Sequence, residues 1–145
     1  TVPKILQTAL TDAIVGNFTD IIELLLADER IQVNQTLEMG TALSFACSQP
    51  NIEPVRLLLG HPDIDVNQGG NENPLHIACR NGNLEIVKLL LQSPNIDVNC
   101  EDANIPPLCE ALWGGHNDVA ELVANDPRYQ PSPDFTQPNW NKNFS

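Results

Sequence analysis

Positive charge is what this sequence has least of. Its 145 residues carry 7 Lys and Arg against 19 Asp and Glu, a formal net charge of −12. Phosphate recognition needs clustered Lys and Arg, and no such cluster exists, so no nucleic-acid partner is expected. No apolar run approaches the ~18 residues of a membrane span, so no membrane partner is expected either. The 4 cysteines include no C-x-x-C pair. Without a four-ligand His/Cys set the sequence predicts no metal, and it offers no motif for a cofactor. G-x-S-x-G, a phosphate-cradling glycine loop and H-E-x-x-H are all missing, which predicts that the chain is not an enzyme. The carboxylates are scattered in the manner of a solvated surface. The chain opens on Thr1 and not on Met, which predicts a piece of a longer polypeptide.

What is present is a repeat. Residues 73–99, NPLHIACRNGNLEIVKLLLQSPNIDVN, read as two short amphipathic helices. Pro74 suits a first helical position, because its missing N–H would be unpaired there anyway. Gly82 ends the first helix after Asn81, and Asn83 caps the second. Leu84, Ile86, Val87, Leu89, Leu90 and Leu91 leave the second helix apolar over most of its circumference, so neighbours of the same kind must cover it. They exist. Aligning Ala78 with Ala13, Ala46 and Ala111 gives periods of 33, 32 and 33 residues. A leucine column follows at Leu24, Leu57, Leu89 and Leu122, expected to be core. IQVN or IDVN closes the first three units at Asn34, Asn67 and Asn99. A period of this length means a stacked solenoid.

The opening NPLHIA, followed by NGNLEIVKLLL and DVN, resembles the ankyrin repeat over roughly residues 3–126. The resemblance implies an all-α solenoid of stacked antiparallel helix pairs with projecting finger loops. We expect one domain, 1–126, of four repeats at about 3–34, 35–67, 68–99 and 100–126. The first helix is expected to run from Val2 to Val15 with a wetted face of Lys4, Gln7 and Asp12, and the fourth repeat to be the C-terminal end unit. The stretches between D-V-N and the next helix are shorter than in the common pattern. Regular β-hairpins are therefore not expected, although Gly69 and Gly70 can supply positive φ. His76 occupies the place of the family's motif histidine, which implies structural hydrogen bonds between repeats. Asn67 and Asn99 are expected to hold their loops by hydrogen bonds.

Cys47 and Cys79 share one register. Neighbouring helices lie about 8–10 Å apart, beyond the ~4.4–6.8 Å between the Cα atoms of a disulfide, so they read as buried thiols. That suits a reducing, intracellular and cytoplasmic location, or a host cytosol reached by a secreted effector.

The resemblance also implies where a partner binds: the finger tips and the ends of the first helices, which form a concave face. Those residues are Ser48, Gln49, Arg80, Asn81 and Trp113, with Leu37, Met39, Glu72, Asp102 and Asn104 in the fingers. Trp113 and Arg80 are of the types that dominate binding hot spots. Residues 127–145 hold four of the 12 prolines and four of the seven aromatics, Tyr129, Phe135, Trp140 and Phe144. Such a tail is expected to dock on the repeats or on a partner. The function expected is a non-catalytic protein-interaction module, monomeric, whose acidity suits a basic partner protein. The alternative is a targeting or regulatory segment of a larger enzyme such as a secreted bacterial effector.

Overall fold

The computed structural model describes residues 2–38, 40–69, 72–100 and 105–131. Among them it is all-helical: α1 (Val2–Val15), α2 (Thr19–Ala27), α3 (Ala42–Cys47), α4 (Glu53–Leu59), α5 (Pro74–Asn81), α6 (Leu84–Leu91), α7 (Pro107–Trp113) and α8 (Asn117–Ala124). The helices pair as α1–α2, α3–α4, α5–α6 and α7–α8. Each pair packs on the next, with the odd-numbered helices in one layer and the even-numbered in the other.

The repeat sequence explains why each helix starts and stops where it does. Pro74 and Pro107 are the first residues of α5 and α7. Asn73 caps α5 by accepting from the Leu75 N–H at 2.9 Å, and Thr41 caps α3 through the Ser44 N–H at 3.2 Å. Asn83 caps α6 through the Ile86 N–H at 3.2 Å. The turn between paired helices needs a left-handed residue four positions after the aligned alanine. Asn17 (φ 54°), Gly82 (φ 70°) and Gly115 (φ 76°) supply it. Pro50 holds that register in the second unit and cannot adopt such a φ, so that turn follows another path.

The aligned alanines Ala13, Ala46, Ala78 and Ala111 are buried, as are Cys47, Cys79 and Cys109. Burial pushes these three thiols up, away from the reactive thiolate. The leucine column is not where the sequence put it. Leu57, Leu89 and Leu122 are only half-buried and Leu24 is 73% exposed. The fully buried side chains stand one residue later, at Leu58, Leu90 and Val123, and three before those, at Val55, Val87 and Ala120. The alignment holds, but a second helix that is apolar on most sides does not reveal which of two adjacent leucines points inward. Gln7 is also misplaced by the sequence. It has no exposed surface and lines up with Leu10 and Ile14 on the inner stripe of α1, while Lys4 and Asp12 are exposed.

Between units the backbone carries one isolated bridge, Leu37 with Gly40, and no strand among the described residues. Gly40 adopts a φ of 99°. Gly69 does not use the positive φ open to it, and Gly70 lies outside the described residues. Glycine is needed at position 69 for another reason, because a Cβ there would run into the Glu72 carbonyl.

A ladder of asparagines ties the units at their loops. The Asn34 side chain donates to the Asp63 carbonyl at 2.7 Å and accepts from the Asp65 N–H at 2.8 Å. Asn67 repeats this on Asn95 and Asp97, both at 2.8 Å. Asn99 repeats it once more on Arg128 (2.8 Å) and Gln130 (2.7 Å). Residues 126–131 therefore form a fourth copy of the closing loop. Tyr129 stands where Ile31, Ile64 and Ile96 stand and packs half-buried on the core. The Arg128 guanidinium donates to the Leu91 and Ser93 carbonyls at 2.7 and 2.9 Å. It thereby caps the C-terminal end of α6, where a cation also meets the favourable end of the helix dipole.

Arg128 also grips Asp126 at 2.8 Å, and that hydrogen bond holds the Asp126 carboxyl below its ordinary range. A depressed carboxylate contributes stability above its unfolded value of about 3.9 and loses it as pH falls through the lower native value. The wild-type chain is therefore expected to lose stability as pH drops below about 4. Arg128→Ala should flatten that dependence. The urea midpoint at pH 5 and at pH 3 measures it, and equal slopes in both proteins would contradict the pairing. Asp28, lowered to about 2 by Arg30 in the same Asp-x-Arg register, remains in the variant as an internal control.

Candidate functional site

The repeat brings the ends of α3, α5 and α7 into one row. Ser48 follows α3, exposed, with its hydroxyl donating to the Phe45 carbonyl at 2.6 Å, and the Gln49 amide reaches back to the Ser48 hydroxyl at 3.3 Å. Asn81 closes α5 and is exposed. These three residues share an open groove of ≈ 640 Å³ with the α5–α6 turn, lined also by Pro50, Leu84 and Glu85. Trp113 ends α7 and is 67% exposed.

Arg80 belongs to the row but is already engaged. Its guanidinium donates Nε and Nη2 to the two Glu110 carboxylate oxygens at 3.1 Å and Nη1 to Glu72 at 2.8 Å. Those acids hold the Arg80 pKa above its usual value, the Glu110 hydrogen bonds contributing most. The arginine thus clamps its own finger and the next repeat, and its charge is spent within the fold.

The finger residues divide. Leu37 is half-buried in its bridge with Gly40, and Glu72 is bound to Arg80. Met39, Asp102 and Asn104 lie outside the described residues, as do the tail aromatics Phe135, Trp140 and Phe144.

Two histidines bridge repeats. His76, with no exposed surface, donates through Nε2 to the Ile105 carbonyl at 2.6 Å, and its Nδ1 lies 3.7 Å from the Cys100 sulfur. In the second unit Ser44 fills that register and donates to the Gly69 carbonyl at 3.1 Å. His116 donates through Nε2 to the Arg80 carbonyl at 3.0 Å. Its ring lies over Gly82 and Gly114.

Among the described residues no group of three or more His, Cys, Asp and Glu could hold a metal ion, and no helix is long and apolar enough to cross a membrane. The model of the family described as ankyrin repeats, in three copies, matches residues 43–133. The chain belongs to the ankyrin-repeat family. The match covers the second, third and fourth helix pairs, and α1–α2 adds a pair in front of it. No curated protein gave a significant match. Ankyrin repeats are generally protein–protein interaction modules and typically non-catalytic, and this chain carries the family's helical stack.

Sequence reasoning missed Glu110, His116 and Arg128 as residues that build this surface. Glu110 and Arg128 had a signal in the register. Glu110 precedes its aligned alanine and Arg80 follows its own by two, which brings them together across neighbouring repeats. Asp126-Pro127-Arg128 repeats the register of Asp28-Glu29-Arg30.

Proposed function

We propose that the chain is a non-catalytic ankyrin module that binds a partner protein across the row formed by Ser48, Gln49, Asn81 and Trp113, with the fingers at its edge. The exposed indole of Trp113 carries this reading. A large aromatic held on a rigid helix end, with polar neighbours beside it, is the usual make-up of a binding hot spot. The net charge of −12, together with the internal neutralisation of Arg80 by Glu72 and Glu110, favours a partner of basic character, steered by the field of the whole chain. Arg80 serves by fixing Glu72 and Glu110 in place and not by contacting the partner itself.

The test compares the proteins captured by the full chain with those captured by Trp113→Ala, followed by titration of the one that is lost. Trp113→Ala is expected to weaken binding by about tenfold or more, with an unchanged melting curve. Association should also slow as salt rises. Equal affinity for both proteins would move the binding surface away from this row.

A further inference from the structure

Seven large apolar side chains stand exposed among the described residues, and six of them belong to the first helix pair. Four form one surface. Val2 and Ile5 continue through half-buried Ala9 as a single stripe on α1, and Ile21 and Leu24 flank it on α2. This stripe lies on the side of the pair that faces away from α3 and α4. Ala9 holds the register of Ala42, Pro74 and Pro107, all buried, and Ile21 that of Pro54, Ile86 and Val119, also buried. In units two to four the preceding pair covers those positions. The face is thus the same stacking surface used three times within the chain, here left uncovered.

A preceding repeat in the same chain would arrive through a loop ending just before Ala9, as the loops before Ala42, Pro74 and Pro107 do. In this unit that path is occupied by helix, since α1 begins at Val2, about two turns earlier. The face therefore takes an occupant other than a repeat joined by such a loop. The charges on α1 say which. The helix carries one basic and one acidic side chain, Lys4 and Asp12, and neither forms an ion pair among the described residues. They sit four residues on either side of Thr8, and all three line one shallow groove with Ile5 and Ala9.

We propose that this face docks a second copy of the chain as a two-fold dimer, with α1 antiparallel to α1 of its partner and crossing at Thr8. That arrangement brings each Lys4 to the other protomer's Asp12 and makes two ion pairs. It closes Ile5 and Leu24 of both copies into one apolar layer. The Thr8 hydroxyl already donates to the Lys4 carbonyl at 2.9 Å, so its burial at the crossing leaves no unpaired donor. The two helices side by side offer a face about 20 Å on each edge, about 800 Å² over both copies, which suits weak, concentration-dependent association and not a permanent dimer. The dimer departs from the monomer expected of the sequence.

Sedimentation velocity of the full chain over about 1–300 µM tests the proposal, a range that brackets micromolar association. The mass is expected to rise from 15.9 kDa towards twice that value with concentration. Ile5→Glu, at a position 68% exposed, should remain monomeric throughout with an unchanged melting curve. Lys4→Asp and Asp12→Lys should each weaken self-association by about tenfold or more, because every contact occurs twice and like charges meet. Mixed together, the two variants should pair, since the two acids on α1 of one then face the two lysines on α1 of the other. A monomer at every concentration would overturn the proposal. So would a dimer indifferent to Ile5→Glu, or charge variants that fail to rescue one another when mixed. Dimerisation that appears only after removal of residues 132–145 would assign the face to the tail and likewise overturn it.

Discussion

Leu90→Ala is expected to lower the stability of the whole stack by about 2–5 kcal/mol, the usual cost of truncating a fully buried leucine that neighbours cannot collapse upon. Leu90 has no exposed surface and lies in α6, between α4 and α8 in the even-numbered layer. A repeat array is stabilised by contacts between nearest neighbours, so weakening a middle unit loosens its hold on both sides. Unfolding followed by tryptophan fluorescence and by circular dichroism should shift together. Leu89→Ala should cost less, because Leu89 keeps part of its surface in water, and Leu24→Ala should cost least of the three. This order separates the buried column from the aligned one. Equal losses at Leu89 and Leu90 would mean that α6 is rotated relative to the structure. A midpoint unchanged by Leu90→Ala would remove α6 from the core altogether.

The same pair of leucines marks where the sequence stopped being informative. Pro74, Gly82 and Asn83 act through their own backbone geometry, so they declare helix starts, stops and caps locally, and the structure places them in those roles. Periodicity of the alanines gave the stacking, because small side chains are needed wherever two helices press together. Inward orientation within a uniformly apolar helix is different. LLL at 89–91 satisfies any rotation of α6, and only the facing helices select Leu90. The candidate surface was legible for a related reason and only in part. Register alone put Arg80 and Trp113 at the ends of their helices, but it could not show that Glu72 and Glu110 consume the guanidinium of Arg80 while the indole stays bare. Those contacts join residues 8 and 30 positions apart and depend on how far each repeat turns from the last.

Gly82→Ala is expected to destabilise the chain by about 2–4 kcal/mol from two separable causes, a left-handed backbone forced on a residue with a Cβ and a clash of that Cβ with a neighbour. Gly82 has a φ of 70°, and its left-handed turn lets α6 fold back along α5. A methyl added there would strike the His116 ring at Nδ1, Cγ and Cε1. That ring cannot swing aside without loss, because its Nε2–H donates to the Arg80 carbonyl at 3.0 Å and ties the fourth repeat to the third. Arg80 in turn holds Glu110 on the same side of α7, so displacing His116 disturbs both links between these repeats. A double-mutant cycle divides the two causes. His116→Ala removes the obstacle and forfeits one hydrogen bond, worth about 1 kcal/mol. In that background Gly82→Ala should cost only the backbone penalty of about 1–2 kcal/mol, leaving a coupling of at least about 1 kcal/mol between the two sites. Gly115, whose φ of 76° is similar but whose Cβ would meet nothing, provides the matched comparison. Gly115→Ala should show the backbone cost alone, with or without His116. A coupling of zero would mean that His116 does not lie across Gly82, and the contact that joins the last two repeats at this turn would have to be sought elsewhere.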